Sequence, residues 1–217
     1  MARQPRFLLA NRPHLIEQRG HNGAAIAHDD EDRRRWLALL RDAAAAHRVV
    51  LHAWGLGRDR FRLLATPPSA AALSRMMQTL GRRYVGAFNA RHGRSGTLFD
   101  GRFQVCLVED GEWTLASMQH VEALPAADGG LSSLPHHLGD HVDPALSDPP
   151  AYWALGNTPF DRHLAWRHRL DAGAERGDEA AQTLAFETVS VSNPSLFAVA
   201  PAVAANGTLT YTPAANA

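Results

Sequence analysis

The 217-residue sequence contains no lysine, so all 22 of its positively charged side chains are arginine. It has one cysteine, Cys106, which excludes an internal disulfide and a zinc site made of several cysteines. No apolar run approaches the ~20 residues of a membrane-spanning helix. The first residues lack the apolar core of a secretory signal, so we expect a cytoplasmic protein. Cys106 lies in the apolar run at 105–108, and we expect it to be buried.

The net charge of zero conceals an asymmetry between the two halves of the chain. Residues 1–110 hold 18 arginines against 10 acidic residues, and residues 111–217 hold 4 arginines against 12. Guanidinium groups bind phosphate through paired hydrogen bonds, so the basic half suits a phosphate-bearing partner. A solvated basic surface would give the same counts.

The apolar patterns predict an α+β domain in the first 124 residues. Period-two alternation and turn residues predict strands, and an apolar stripe from Leu73 to Phe88 predicts an amphipathic helix that ends before Gly93. The resulting order, β-α-β-β-α-β and a further helix, is the ferredoxin-like plan of a four-stranded antiparallel sheet with helices on one face. The predicted strands are 14–19, 49–54, 60–65 and 101–109, and the predicted helices are 29–47, 73–88 and 112–124.

Composition changes divide the chain into four predicted segments. Residues 1–131 form the core domain, and residues 132–172 form an extension with a helix at 159–171. Residues 173–186 are a polar linker. Residues 187–217 carry no charge after Glu187, and they are expected to form a partial β repeat with strands at 188–192 and 208–212 around a turn at Asn206-Gly207.

Three histidines of the extension, His136, His137 and His141, lie close together in the sequence. Two of them are adjacent, and no carboxylate or thiol follows at a ligand spacing. We therefore expect no metal site among them.

Several stretches of the first 172 residues resemble the REP-associated tyrosine transposases, a branch of the HUH single-strand DNA transposases. The most specific is LGRRYVGAFNARHGRSGTLFDGRF at 80–103. The others are IEQRGHNG at 16–23, DDEDRRRWLALLR at 29–41 and YWALGNTPF at 152–160. The resemblance implies a ferredoxin-like fold that binds single-stranded or hairpin DNA. It implies no membrane or small-molecule partner, and a monomer or a dimer.

In the active family two histidines on the third strand hold Mg²⁺ or Mn²⁺, and a polar residue completes the metal site. A tyrosine on the last helix attacks the scissile phosphate. In this chain Arg60 and Arg62 stand at the histidine positions, His120 at the tyrosine position and Leu124 at the polar position. Arginine offers no lone pair to a metal, so we expect no bound cofactor and no strand cleavage.

The function remains open among three hypotheses. The chain is an inactive transposase domain that still binds DNA, an active metal-dependent transposase or nuclease with substitute residues such as His120, or a decayed product without function. Arg60 and Arg62 could hold a phosphate, form salt bridges with acids such as Asp59, or be substitutions without a role. The predicted DNA-binding residues are Arg60, Arg62, Arg82, Arg83, Arg91, Arg94 and Arg102.

The last thirty residues resemble a different family, the tandem immunoglobulin-like repeats of bacterial surface proteins. The residues that carry this resemblance are NPSLF at 193–197 and NGTLTYTPAANA at 206–217. They correspond to only part of one repeat, too little to bury a core of its own. A fusion or a rearranged reading frame explains this better than a functional module.

Overall fold

The computed structural model describes residues 7–127, 130–178, 197–203 and 209–213. The chain divides into two compact units, residues 1–170 and residues 171–217. No helix among the described residues is long and apolar enough to cross a membrane. Every residue that the sequence analysis assigns to a site lies in the first unit.

The first unit is an α+β domain, as predicted, and its elements follow the predicted order. They are β1 (His14–Arg19), α1 (Asp30–His47), β2 (Val50–Leu56), β3 (Arg60–Thr66), α2 (Ala70–Arg91), β4 (Gln104–Leu107), α3 (Glu112–Glu122), β5 (Leu131–Ser132), α4 (Leu134–His137), α5 (Pro150–Trp153) and α6 (Pro159–Asp178). The strands form one antiparallel sheet in the order β4-β1-β3-β2-β5. The short β5 extends the predicted four strands by one.

Side-chain caps set where the long helices begin. The carboxylate of Asp29 accepts a hydrogen bond from the Asp32 N–H at 3.0 Å at the start of α1. The hydroxyl of Ser69 accepts one from the Ala72 N–H at 3.3 Å at the start of α2. Helix α1 ends where Arg48 takes a left-handed backbone conformation with φ of 54°.

The predicted apolar stripe of α2 is buried against the sheet and α1. Its members are Leu73, Met77, Leu80, Tyr84 and Phe88. The Tyr84 hydroxyl donates to the Ile26 carbonyl at 2.6 Å, and burial raises the pKa of Tyr84. Tyr84 is therefore a core residue, as the stripe predicts, and not a nucleophile.

Helices cover both faces of the sheet. On β3, Phe61 and Leu63 point into the core formed with α1 and α2. Leu64 points to the opposite face, where α3, α5 and α6 form a second apolar cluster that includes Tyr152 and Trp166. The two central helices thus share one face as predicted, and the elements after β4 supply the layer on the other.

Two predictions about β4 are wrong. The strand covers residues 104–107 rather than 101–109, because Gly101 adopts a φ of +61° that interrupts extended backbone. Cys106 is exposed rather than buried. It is the ladder partner of Leu15 on the edge strand of the sheet, where the helical layer does not cover it.

In the second unit, β6 (Phe197–Val203) and β7 (Leu209–Pro213) pair in an antiparallel ladder. Strand β7 overlaps the predicted strand at 208–212. Strand β6 is not predicted from the sequence, because Pro201 and small residues weaken its strand pattern. The strand at 188–192 and the turn at Asn206-Gly207 lie outside the described residues. Helix α6 continues to Asp178, so residues 173–178 are helical and not part of a linker.

Candidate nucleic-acid interface

The positions that the resemblance assigns to metal binding and attack come together between β3 and α3. Arg60 and Arg62 share the face of β3 opposite to the α1–α2 core. The Arg62 Nη1 donates a hydrogen bond to the His120 carbonyl at 3.3 Å. Leu124, just past α3, packs against β2 at Gly55, which is the ladder partner of Arg62. The fold therefore brings together positions that the resemblance assigns to the site.

This close approach requires glycine on β2. A Cβ added at Gly55 would lie 2.1 Å from the carbonyl oxygen of Val121, near the end of α3. No side chain fits at such a distance, so Gly55 lets the end of α3 lie directly on the strand. The register of α3 against β3, and with it the position of His120, depends on this contact.

Both arginines of β3 form salt bridges with carboxylates, and Arg62 shares its carboxylate with Arg19. The Arg62 Nε donates to Glu17 Oε2 at 2.7 Å, and Arg19 donates to the other oxygen of Glu17. Arg60 donates to both oxygens of Asp59, each at 2.9 Å. Burial opposes ionisation of Glu17, but its two guanidinium partners hold its pKa below the usual range. Of the three interpretations of Arg60 and Arg62 that the sequence leaves open, the structure shows salt bridges.

The donor set does not suit Mg²⁺ or Mn²⁺. Both ions need ligand atoms with a free lone pair, chiefly oxygen. Arg60 and Arg62 present only N–H donors, and the Leu124 side chain has no ligand atom. The carboxylate of Glu17 is already hydrogen-bonded to guanidinium groups. Burial and the charge of Arg62 lower the pKa of His120, which favours a neutral imidazole at that position. The residues present therefore do not form the family's metal centre.

Arg91, a predicted DNA-binding residue, lies in a cluster of acids at the start of α1. Its guanidinium contacts Asp29 at 2.7 Å, Asp32 at 2.6 Å and Glu31 at 3.1 Å. Hydrogen bonds from Arg91 hold the pKa of Asp29 well below its usual range. This contact joins the end of α2 to the start of α1. Arg91 therefore stabilises the packing of α2 against α1.

The other predicted arginines differ in their partners. Arg83 forms an ion pair with Asp42 at 3.0 Å. Arg94 lies over the ring of Phe88 at 5.4 Å from its centroid. Within the part of the chain that the structure describes, no carboxylate lies within 4.0 Å of Arg82 or Arg102, and both are exposed. The same holds for Arg75 on α2, which is not among the predicted DNA-binding residues.

A cavity of about 390 Å³ lies beside these unpaired arginines, between α2 and the segment 99–103. Its lining combines three aromatic rings, two amide side chains and two arginines, and contains no acidic residue. The lining residues are Gln18, Phe61, Ser74, Arg75, Met77, Gln78, Gly81, Phe99, Gly101, Arg102 and Phe103. The cavity is on the face of the sheet opposite to Arg60 and Arg62. No local sequence pattern indicates this cavity, because its walls come from distant segments.

His136 and His137 meet Asp148, a carboxylate that the sequence spacing did not indicate. Nε2 of each imidazole lies 3.4 Å from Asp148 Oδ1, and His141 is not part of the cluster. The Nδ1 of His136 accepts a hydrogen bond from the Asp143 N–H at 3.1 Å. The proton of neutral His136 must then sit on Nε2, which leaves no lone pair there for a metal.

His137 is fully buried between two carboxylates. Its Nδ1 contacts Glu122, and its Nε2 faces Asp148. Burial alone would lower the pKa of His137, but its contacts with Asp148 and Glu122 raise it to about 9. The other oxygen of Glu122 accepts a hydrogen bond from the Trp166 indole at 3.1 Å. The cluster is a buried ion-pair network that connects α3, α4 and α6.

No protein-family model matches the chain, and no curated protein matches it in sequence. Among solved structures, the chain is similar to a REP-associated tyrosine transposase bound to a REP hairpin. The similarity has a TM-score of 0.50 at 8% identity, and it covers 70% of this chain and 93% of the other. A candidate transposase from Deinococcus radiodurans R1 is also similar, with a TM-score of 0.38 at 23% identity over 55% of this chain and 94% of the other. The first unit therefore has the fold of a REP-associated tyrosine transposase.

Proposed function

We propose that the first unit is a member of the REP-associated tyrosine transposases that binds single-stranded or hairpin DNA without cleaving it. The observation that carries the proposal is the convergence of Arg62, His120 and Leu124 at one place between β3, β2 and α3. This convergence supports a family scaffold in which the reactive side chains are replaced.

The basic surface supports DNA as the ligand. Arg75 and Arg82 are one heptad apart on α2, so they lie on the same side of the helix. With Arg102 they form a group of exposed guanidinium groups without acidic partners among the described residues. Guanidinium binds phosphate in a bidentate geometry. The transposase of the same fold is bound to a DNA hairpin, which is the ligand class that this surface suits.

The replaced side chains account for the loss of cleavage. Attack on a phosphodiester needs a nucleophile and a group that polarises the phosphate. Arg60 and Arg62 cannot hold a metal, and their charges are balanced by Asp59 and Glu17. His120 has an imidazole in place of the tyrosine hydroxyl, and no metal ligand set accompanies it. An active nuclease with substitute residues is therefore the weaker hypothesis.

Salt-dependent binding tests the proposal against a decayed product. The substrate is a fluorescently labelled DNA hairpin with a short single-stranded extension, and the readout is anisotropy. If four to six phosphates are bound, the slope of log affinity against log salt should be about −3 to −4. Affinity should then fall on the order of a hundredfold between ~50 and ~200 mM salt. A folded protein with no measurable affinity at ~50 mM salt would refute DNA binding and leave the decayed product.

A further inference from the structure

We propose that the cavity between α2 and residues 99–103 holds one unpaired nucleobase of the bound DNA, with Arg75 and Arg102 contacting the phosphates beside it. This inference rests on the proposed function and specifies where an unpaired nucleotide binds. It concerns the face of the sheet opposite to Arg60 and Arg62.

The dimensions and walls of the cavity suit a base. Its volume of about 390 Å³ is in the range of small-molecule sites. Phe61 of β3 forms part of the wall, with Phe99 at 5.8 Å between ring centroids and nearly perpendicular to it. Phe103 adds a third ring to the lining. Proteins bind unpaired bases by stacking them on aromatic side chains, and Phe99, the least buried of the three rings, is the one that a base can reach.

A buried amide reaches this cavity from the sheet. Gln18 is the ladder partner of Phe61 and is only 6% exposed. Its Nε2 makes one long hydrogen bond, 3.4 Å to the Arg19 carbonyl, and its Oε1 accepts none from the described residues. A carboxamide offers a donor and an acceptor side by side, which match the edge of a base. Gln78 on α2 supplies a second amide in the lining.

The charges favour a nucleotide over a neutral aromatic ligand. Arg75 and Arg102 both line the cavity, which contains no acidic side chain. Neither guanidinium has a carboxylate within 4.0 Å among the described residues. A base inserted between them would bring its flanking phosphates to two cations that make no ion pair. This combination of rings, amides and cations fits an unpaired nucleotide.

Gly81 allows the cavity to be filled without disturbing the core. It lies in the lining, and a Cβ added there would have no heavy atom within 4 Å. Gly86 on the same helix is also open around its Cβ but does not line the cavity. The substitutions Gly81→Leu and Gly86→Leu each replace a helical glycine, so the two variants should fold equally well. Gly86→Leu is therefore the matched control.

The test combines these variants with an abasic scan of the single-stranded extension of a DNA hairpin. In the wild type, removing one particular base should weaken binding by about tenfold or more, and removing the others should have little effect. Gly81→Leu should weaken binding of the intact DNA by a similar factor and abolish the effect of the abasic position. Gly86→Leu should match the wild type in both measurements. Gln18→Ala should reduce the abasic effect without changing the salt slope.

The outcomes separate this inference from the proposed function. If the wild type binds DNA but Gly81→Leu binds as tightly as Gly86→Leu, the cavity does not hold a base and DNA binding still stands. Equal sensitivity of all extension positions in the wild type would also overturn the inference. If the wild type binds no DNA, both proposals fail together.

Discussion

Arg62 and Glu17 face each other across the β1–β3 ladder, with the Arg62 Nε donating to the Glu17 Oε2 at 2.7 Å. Both side chains are largely buried, at 17% and 14% exposure. In the family that this chain resembles, the position of Arg62 holds a metal ligand. Here the position carries a cation that a neighbouring carboxylate already balances. The ion pair thus occupies the position that the resemblance assigns to a metal ligand.

Removing the charge of Glu17 should destabilise the first unit. In Glu17→Gln, the partly buried Arg62 and the nearby Arg19 lose their ionised acceptor. The free energy of unfolding should fall by about 1–3 kcal/mol, the range for hydrogen bonds to charged groups. Urea unfolding measures the change. Asp110→Asn is the control, because its ion pair with Arg12 is exposed at 68% and 57% and should contribute less than ~1 kcal/mol.

Substitution of Arg91 should lower the stability of the first unit, and substitution of Arg82 should weaken DNA binding. Arg91→Ala removes the contact that joins α2 to the acids at the start of α1, so its Tm should fall. Arg82→Ala removes an exposed side chain and should leave Tm unchanged. DNA affinity measured well below Tm should show the reverse order. A larger loss of affinity in Arg91→Ala than in Arg82→Ala would restore the DNA-binding role that the sequence predicts for Arg91.

The exposed arginines should each contribute one phosphate contact. Arg75→Ala, Arg82→Ala and Arg102→Ala should each weaken binding and reduce the steepness of the log–log salt slope by about 0.7, the contribution of one phosphate of a single strand. Arg60→Ala and Arg62→Ala should change the slope less, because Asp59 and Glu17 balance those charges. Arg167→Ala on α6 removes an exposed arginine from the layer on the other face of the sheet and serves as the control.

The buried His137 should make stability depend on alkaline pH. Its pKa is raised from 6.5 to about 9 in the folded protein, so folding is favoured while the imidazole is protonated. That contribution is full below pH 6.5 and is lost as the pH rises to about 9, and it amounts to ~3 kcal/mol. His137→Gln should therefore flatten the decline in the free energy of unfolding between pH 6 and pH 9.

Two comparisons make this pH dependence specific. Asp148 faces His137 and has a lowered pKa, so its own contribution is lost only under acidic conditions, as the pH falls below its ordinary value near 3.8. His168→Gln, at an exposed position of α6, should keep the alkaline decline of the wild type. An unchanged decline in His137→Gln would show that the network does not hold an imidazolium.

Local patterns predicted the elements well, and distant contacts determined the chemistry of the site. The alternation at 14–19 matches β1 residue for residue, and the α2 stripe is buried as expected. The Glu17–Arg62 pair joins residues 45 positions apart, so no local pattern could reveal it. The acids around Arg91 lie at the start of another helix, so no local pattern could reveal that contact either. The exposure of Cys106 follows from the position of β4 at the sheet edge, which only the strand order shows.

The resemblance points to positions 60 and 62, where the family has metal-binding histidines. The structure shows how the arginines at these positions are held. The sequence leaves three interpretations open for Arg60 and Arg62: a phosphate contact, a salt bridge, or a substitution without a role. The carboxylates of Asp59 and Glu17 favour the salt bridge. The base site that we propose beside Arg75 and Arg102 lies on the face of the sheet opposite to Arg60 and Arg62.

Incubating the protein with a labelled hairpin DNA in Mg²⁺ or Mn²⁺ tests the central claim most directly. Protein is supplied at a concentration that saturates binding in the anisotropy assay, and the products are separated by denaturing electrophoresis. We predict that all of the DNA is recovered at its original length and that no label migrates with the protein. A shortened strand, or a labelled protein band that survives denaturation, would contradict the account.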